Sequence, residues 1–162
     1  MLLAKVMIAT TGARLLPPEA LSVLHTRLLP LATIVTPNVP EALLLLNGPG
    51  AAVNAQQGAN PVLDAVRKVD NLETLARAIR KFGPKWVLVK GGHCPFTRDG
   101  VVAEAEAERE LVVDVLVGED EGTGREVVVR VETGYCASRH THGTGCSLAC
   151  EFCPAPFFFP EW

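Results

Sequence analysis

The stretch from Asp70 to Lys90, DNLETLARAIRKFGPKWVLVK, decides the fold class. Leu72, Leu75, Ala76, Ile79 and Phe82 recur at helical spacing, and Asp70 with Glu73 three residues on forms a candidate capping box. Gly83-Pro84 supplies the stop. Trp86-Val87-Leu88-Val89-Lys90 then sets apolar side chains at consecutive positions, as a strand covered on both faces by helices requires. A helix feeding directly into such a strand is the later half of a strand-helix-strand crossover, right-handed by default.

Working outward, Leu2 to Ala9 reads as a buried strand, and Pro17 to Leu29 as a helix with proline in its first turn and Pro30 as its stop. Ala32 to Thr36 is a β-branched run and the next predicted strand; Pro37 and Pro40 break it, and Glu41 to Leu46 form a brief apolar helix. Gly48 to Pro61 has no period and reads as a loop or insertion. Downstream, Glu104 to Glu110 is a charged, solvated segment. Leu111 to Val117 and Arg125 to Val131 alternate like strands across the acidic, glycine-containing Gly118 to Gly124, which predicts a small antiparallel hairpin at a sheet edge. The class is α/β, a mainly parallel sheet flanked by helices.

A chain of 162 residues, 48% hydrophobic, buries one core, so a single domain is expected. Fifteen basic against eighteen acidic residues leave a net charge of −3, with no basic cluster interleaved with aromatics, which argues against a nucleic-acid partner. The apolar runs, such as Ala42 to Leu46, fall far short of the roughly 20 residues of a membrane-spanning helix. Met1-Leu2-Leu3-Ala4 is interrupted by Lys5 and lacks a cleavage site. An odd count of five cysteines then favours reduced thiols in a cytoplasmic setting.

The chemistry concentrates in Gly143-Thr144-Gly145-Cys146-Ser147-Leu148-Ala149, where two glycines precede a helix-compatible run. Several backbone N–H groups can converge there at the positive end of a helix, and glycine lets phosphate oxygens approach without a Cβ in the way. Many glycine turns open helices and bind nothing, so the loop alone is weak evidence. Cys146 falls in the first turn, where the same field lowers a thiol's pKa from about 8.5 and would let it accept a proton from a hydroxyl. The competing reading is a small buried apolar residue.

Three motifs sharpen the picture: Val35-Thr36-Pro37-Asn38-Val39-Pro40-Glu41-Ala42, Leu88-Val89-Lys90-Gly91-Gly92-His93, and Thr141-His142-Gly143-Thr144-Gly145-Cys146. In order and spacing they resemble the hydroxymethylpyrimidine/phosphomethylpyrimidine kinases of the ribokinase-like superfamily. Val6 to Gly12 and Leu28 to Thr33 resemble the segments that precede the first motif, and the similarity runs from about Val6 to Ala149. The resemblance implies a three-layer ribokinase-like fold and transfer of a phosphoryl group from MgATP to the hydroxymethyl group of a pyrimidine, on the route to thiamine. Asn38 and Glu41 would place magnesium and phosphate; Lys90, with Gly91 and Gly92, would face the nucleotide phosphates. Gly143, Thr144 and Gly145 would neutralise the transferred group, and Cys146 would be the base where most ribokinase-like enzymes carry aspartate.

The pattern departs from the family at both ends. The chain begins in what would be the middle of the fold, with Ala4-Lys5 where relatives have Asp-Pro, and residues 150–162 continue as a proline- and phenylalanine-rich tail. The expectation is a single partial domain, short of most pyrimidine-gripping residues and inactive by itself. A pyridoxal kinase is the nearest competing enzyme. A non-catalytic interaction fragment, self-associating through an uncovered sheet edge, is the alternative outside catalysis. Cys146, Cys150 and Cys153 also resemble an iron–sulfur spacing, and His140 and His142 beside them could bind zinc. Both readings explain fewer residues than the phosphate loop does.

Overall fold

A computed structural model describes residues 2–3, 17–47, 66–92 and 94–137. Five strands form one sheet and follow one another across it in chain order: β1 (Leu2–Leu3), β2 (Ile34–Val35), β3 (Trp86–Val89), β4 (Leu111–Glu119) and β5 (Glu126–Gly134). β1, β2 and β3 run parallel, with Ile34 opposite Trp86 and Val35 opposite Val87. β4 and β5 are antiparallel to their neighbours, Val89 facing Val115 and Asp114 facing Val131. The hairpin strands are nine residues each and longer than the runs that predicted them. They remain paired until Asp120, whose carboxylate accepts the N–H of Thr123 and turns the chain.

The periodic stretch behaves as its pattern demands. Helix α3 (Val69–Arg80) buries Val69, Leu72, Leu75, Ala76 and Ile79 against β3, β4 and the preceding helix α2 (Val39–Asn47). Each of the valine, leucine and isoleucine side chains is worth roughly 1.5–3 kcal/mol when taken out of water. Val87, Leu88 and Val89 are all buried, as consecutive apolar residues on a covered strand should be. Gly83 closes the helix at φ +114°, and a Cβ there would stand 2.7 Å from the Cα of Pro30, so conformation and space both require glycine. Trp86 lies across Gly118 in a similar way, its ring 2.0 Å from the place a Cβ would take.

Several local expectations are corrected. The cap of α3 is Asn71, whose Oδ1 accepts the N–H of Arg67 at 3.0 Å and of Lys68 at 2.9 Å; Asp70 and Glu73 do not form the capping box. Those two carboxylates instead receive the guanidinium of Arg130 from β5. Arg77 with Glu126 at 3.0 Å and Arg80 with Glu119 at 2.7 Å extend this seam between α3 and the hairpin. Most of these side chains are largely exposed, so the pairs add little to stability. Helix α2 begins at Val39, two residues before the Glu41 start expected, with Pro40 in its first turn, where no intrahelical N–H is needed. Pro30 lies within a helical segment rather than after it: α1 (Pro18–Val23) widens to a π turn over Leu24–Leu28 and tightens to a 3-10 turn over Leu29–Leu31. A proline cannot continue an α-helix without striking the carbonyl four residues back, and the pitch changes ahead of it. The Gly48 to Pro61 segment lies outside the described residues, as does most of the predicted first strand.

Candidate active site

Two parallel strands, β2 and β3, end side by side, and it is past the carboxyl ends of such strands that α/β sheets place their ligands. Thr36-Pro37-Asn38 follows β2 and Lys90-Gly91-Gly92 follows β3. The main chains of Asn38 and Lys90 form a parallel bridge, and the Lys90 N–H donates to the Pro37 carbonyl at 2.8 Å. Two of the motifs, far apart in the sequence, are therefore neighbours in the fold.

Asn38 and Glu41 cap α2 reciprocally. The Glu41 N–H donates to Asn38 Oδ1 at 2.8 Å, and the Asn38 N–H donates to Glu41 Oε2 at 3.0 Å. Asparagine at the cap with a carboxylate three residues on satisfies donors that a helix start leaves open, and negative charge is favoured there. Glu41 is only 4% exposed, so this carboxylate belongs to the structure of the site as well as to any chemistry. Thr36 is 5% exposed, and among the described residues its hydroxyl has no hydrogen-bond partner. An unmet buried hydroxyl costs about 1–3 kcal/mol, which a polar ligand at this sheet end could offset.

Past β3 the chain presses against β4. Gly91 is buried, and a Cβ on it would stand 2.1 Å from the carbonyl oxygen of Val113, so no side chain fits. Its N–H donates to Asp114 Oδ1 at 2.9 Å, and its carbonyl accepts the Cys94 N–H at 2.7 Å, which closes a turn. Gly92, by contrast, is exposed and open. Burial pushes the Asp114 carboxyl above the usual carboxylate range, against the opposing pull of the Gly91 N–H and the Lys90 charge. Cys94, buried in the same turn, has its thiol pushed up to about 11 by desolvation and is chemically quiet.

The sequence reading missed Asp114. The signal was present, a lone acid amid the valines of Leu111 to Val117, but its partner could not be read from β4 itself. Asn38 and Glu41, joined by their cap, stand beside Lys90 through the Asn38–Lys90 bridge, and Gly91 and Gly92 follow Lys90 in the chain. Gly143, Thr144, Gly145 and Cys146 lie outside the described residues, as do His93 and the cysteines and histidines of the metal readings. Among the described residues no cluster of His, Cys, Asp or Glu could hold a metal by itself, and no helix is long and apolar enough to cross a membrane.

The sheet and its flanking helices have a ribokinase-like fold, as in solved pyridoxal kinase neighbours. Residues 1–153 match the sequence model of the phosphomethylpyrimidine kinase family, and the chain belongs to that family. It is 34% identical over 144 residues to the thiamine biosynthetic bifunctional enzyme TH1, chloroplastic, of Arabidopsis thaliana, a match covering 89% of this chain and 21% of that protein. It is 34% identical over 144 residues to a hydroxymethylpyrimidine/phosphomethylpyrimidine kinase of Synechococcus elongatus, covering 89% of this chain and 42% of that one. Among solved structures, an ADP complex of Bacillus subtilis pyridoxal kinase superimposes with a TM-score of 0.55 at 25% identity, over 83% of this chain and 40% of that chain. The chain thus spans well under half the length of each of these relatives.

Proposed function

We propose that this chain supplies the phosphoryl-transfer half of an ATP-dependent kinase acting on hydroxymethylpyrimidine and its phosphate. The observation that carries the reading is the bridge between Asn38 and Lys90, which sets Asn-x-x-Glu beside Lys-Gly-Gly at the end of the parallel strands. Lys90 provides a cation for the nucleotide phosphates, and the open Gly92 lets an anion approach the backbone. Asn38 and Glu41 offer amide and carboxylate oxygens, hard donors that suit Mg²⁺. The buried Thr36 hydroxyl, without a partner among the described residues, also fits a polar ligand at this place. Magnesium, when bound, would offset the charge of the phosphates, with Asn38 and Glu41 as the residues that would hold it.

Cys146 is proposed as the base that takes the proton of the substrate hydroxyl as its oxygen attacks the γ-phosphorus. The bond to the bridging oxygen of ADP breaks, and the backbone amides of Gly143, Thr144 and Gly145 offset charge on the transferred group. The odd complement of five cysteines supports a reducing, cytoplasmic setting. A second reading, pyridoxal as the acceptor, is favoured by the likeness to a solved pyridoxal kinase. Incubating the full chain with MgATP and either hydroxymethylpyrimidine or pyridoxal, and following product by mass spectrometry, tests both. The chain alone is expected to be inactive; completed with the part of the fold that its relatives carry and it does not, it should phosphorylate the pyrimidine at a rate that falls on the order of 10²-fold in Lys90→Ala. Preference for pyridoxal, or turnover indifferent to Lys90, would overturn the assignment.

A further inference from the structure

Asp114 belongs to none of the three motifs, yet it makes a contact between the β4 side-chain surface and the Lys90 turn that the sheet itself does not explain. β3 and β4 pair as far as Val89 opposite Val115, and continuing that register sets Gly91 opposite Val113. The Val113 carbonyl does crowd Gly91. The Gly91 N–H nevertheless turns to the Asp114 carboxylate, at 2.9 Å, so a side chain takes over where the main-chain ladder stops. Gly91 is buried, and without this acceptor its N–H would have neither sheet nor water. A half-buried carboxylate is otherwise a poor choice on a strand whose neighbours are valines, since its desolvation is unfavourable.

We propose that Asp114 is the positioning residue of the Lys90–Gly92 turn, anchoring the Gly91 amide so that Lys90 and Gly92 keep the backbone shape that serves an anionic phosphate. The ligand in this statement rests on the nucleotide reading above; the anchoring does not. The role is geometric rather than electrostatic. A negative charge close to Lys90 weakens that lysine's attraction for phosphate, so the carboxylate is a net hindrance to the anion except through the turn it holds. That opposition in sign separates positioning from charge: asparagine at 114 keeps an oxygen acceptor and drops the charge, whereas valine suits the strand but offers no acceptor.

The test is amide hydrogen exchange at Gly91, read by NMR on the full chain, with a parallel titration by MgADP. In Asp114→Val the Gly91 amide should exchange about 10-fold faster or more, and in Asp114→Asn it should stay within about 3-fold of wild type. MgADP affinity should fall about 10-fold in Asp114→Val and be equal or tighter in Asp114→Asn. Equal Gly91 protection in wild type and Asp114→Val overturns the proposal, and so does a loss of affinity in Asp114→Asn that matches Asp114→Val. Should Asp114→Val fail to fold, wild type alone decides: a Gly91 amide exchanging like that of the open Gly92 overturns it, a protected one supports it. If no form binds MgADP, the nucleotide reading fails, while the exchange contrast still settles the anchoring.

Discussion

Asn38 and Glu41 hold each other's backbones, each side chain accepting the other residue's N–H, so a pair that the proposed chemistry needs for magnesium also starts helix α2. The two roles separate by substitution. Glu41→Gln keeps an oxygen at the cap and removes the charge, so its unfolding free energy should remain within about 0.5 kcal/mol of wild type while magnesium-dependent nucleotide binding drops. Asn38→Ala removes the cap and should destabilise the chain by about 1 kcal/mol. Urea denaturation with and without MgADP distinguishes them, and a Glu41→Gln variant with undiminished magnesium dependence would remove Glu41 from the metal site.

Adjacent glycines in the Lys90 turn should respond oppositely to the same change. Gly91→Ala drives a Cβ into the Val113 carbonyl, a main-chain atom that cannot rotate away, and a loss of roughly 1–3 kcal/mol is expected. Gly92→Ala meets nothing within van der Waals range and should melt close to wild type. Thermal melts of the two variants compare them directly; equal stabilities would show that the turn does not press against β4.

The pH dependence of stability carries a signature of Asp114. Burial raises its carboxyl above the ordinary 3.8, so the folded chain takes up this proton at a higher pH than the unfolded chain does. The folded state then binds more protons in the window above 3.8, and this group's contribution to stability grows as pH falls through that window and is lost as pH rises through the folded value. Asp114→Asn lacks the titration. The stability of wild type relative to Asp114→Asn should therefore improve as pH is lowered from about 7 toward about 4. Urea midpoints across that range give the difference, and a flat or opposite slope would contradict the assignment.

Cysteine reactivity offers a check on the packing around the same turn. Cys94 is 1% exposed and its thiol is pushed up to about 11, whereas Cys136 is exposed beyond the end of β5. Iodoacetamide at neutral pH should modify Cys136 well before Cys94, with the two peptides resolved by mass spectrometry. Early labelling of Cys94 in the native protein would mean that the Gly91 turn opens freely.

The parts legible in advance were those governed by near neighbours in the chain. The spacing of Leu72, Leu75, Ala76 and Ile79 predicted α3 and its buried face, and the consecutive valines and leucine before Lys90 predicted a covered strand. Local reasoning went astray where the partner is chosen by surroundings. Asp70 and Glu73 looked like a cap because capping is the nearest use for such residues, yet Arg130 on β5 claims them and leaves Asn71 to the helix start.

For the site, the resemblance of three short motifs to the pyrimidine kinases pointed to Asn38, Glu41, Lys90 and the two glycines, since each motif is a continuous segment of the chain. That Asn38 stands beside Lys90, and that Asp114 holds Gly91, depended on strand order and register, which bring together residues distant in the chain. Periodicity and side-chain chemistry are written locally along the chain, whereas the choice among several available hydrogen-bond acceptors is made by distance, and only the folded sheet sets those distances.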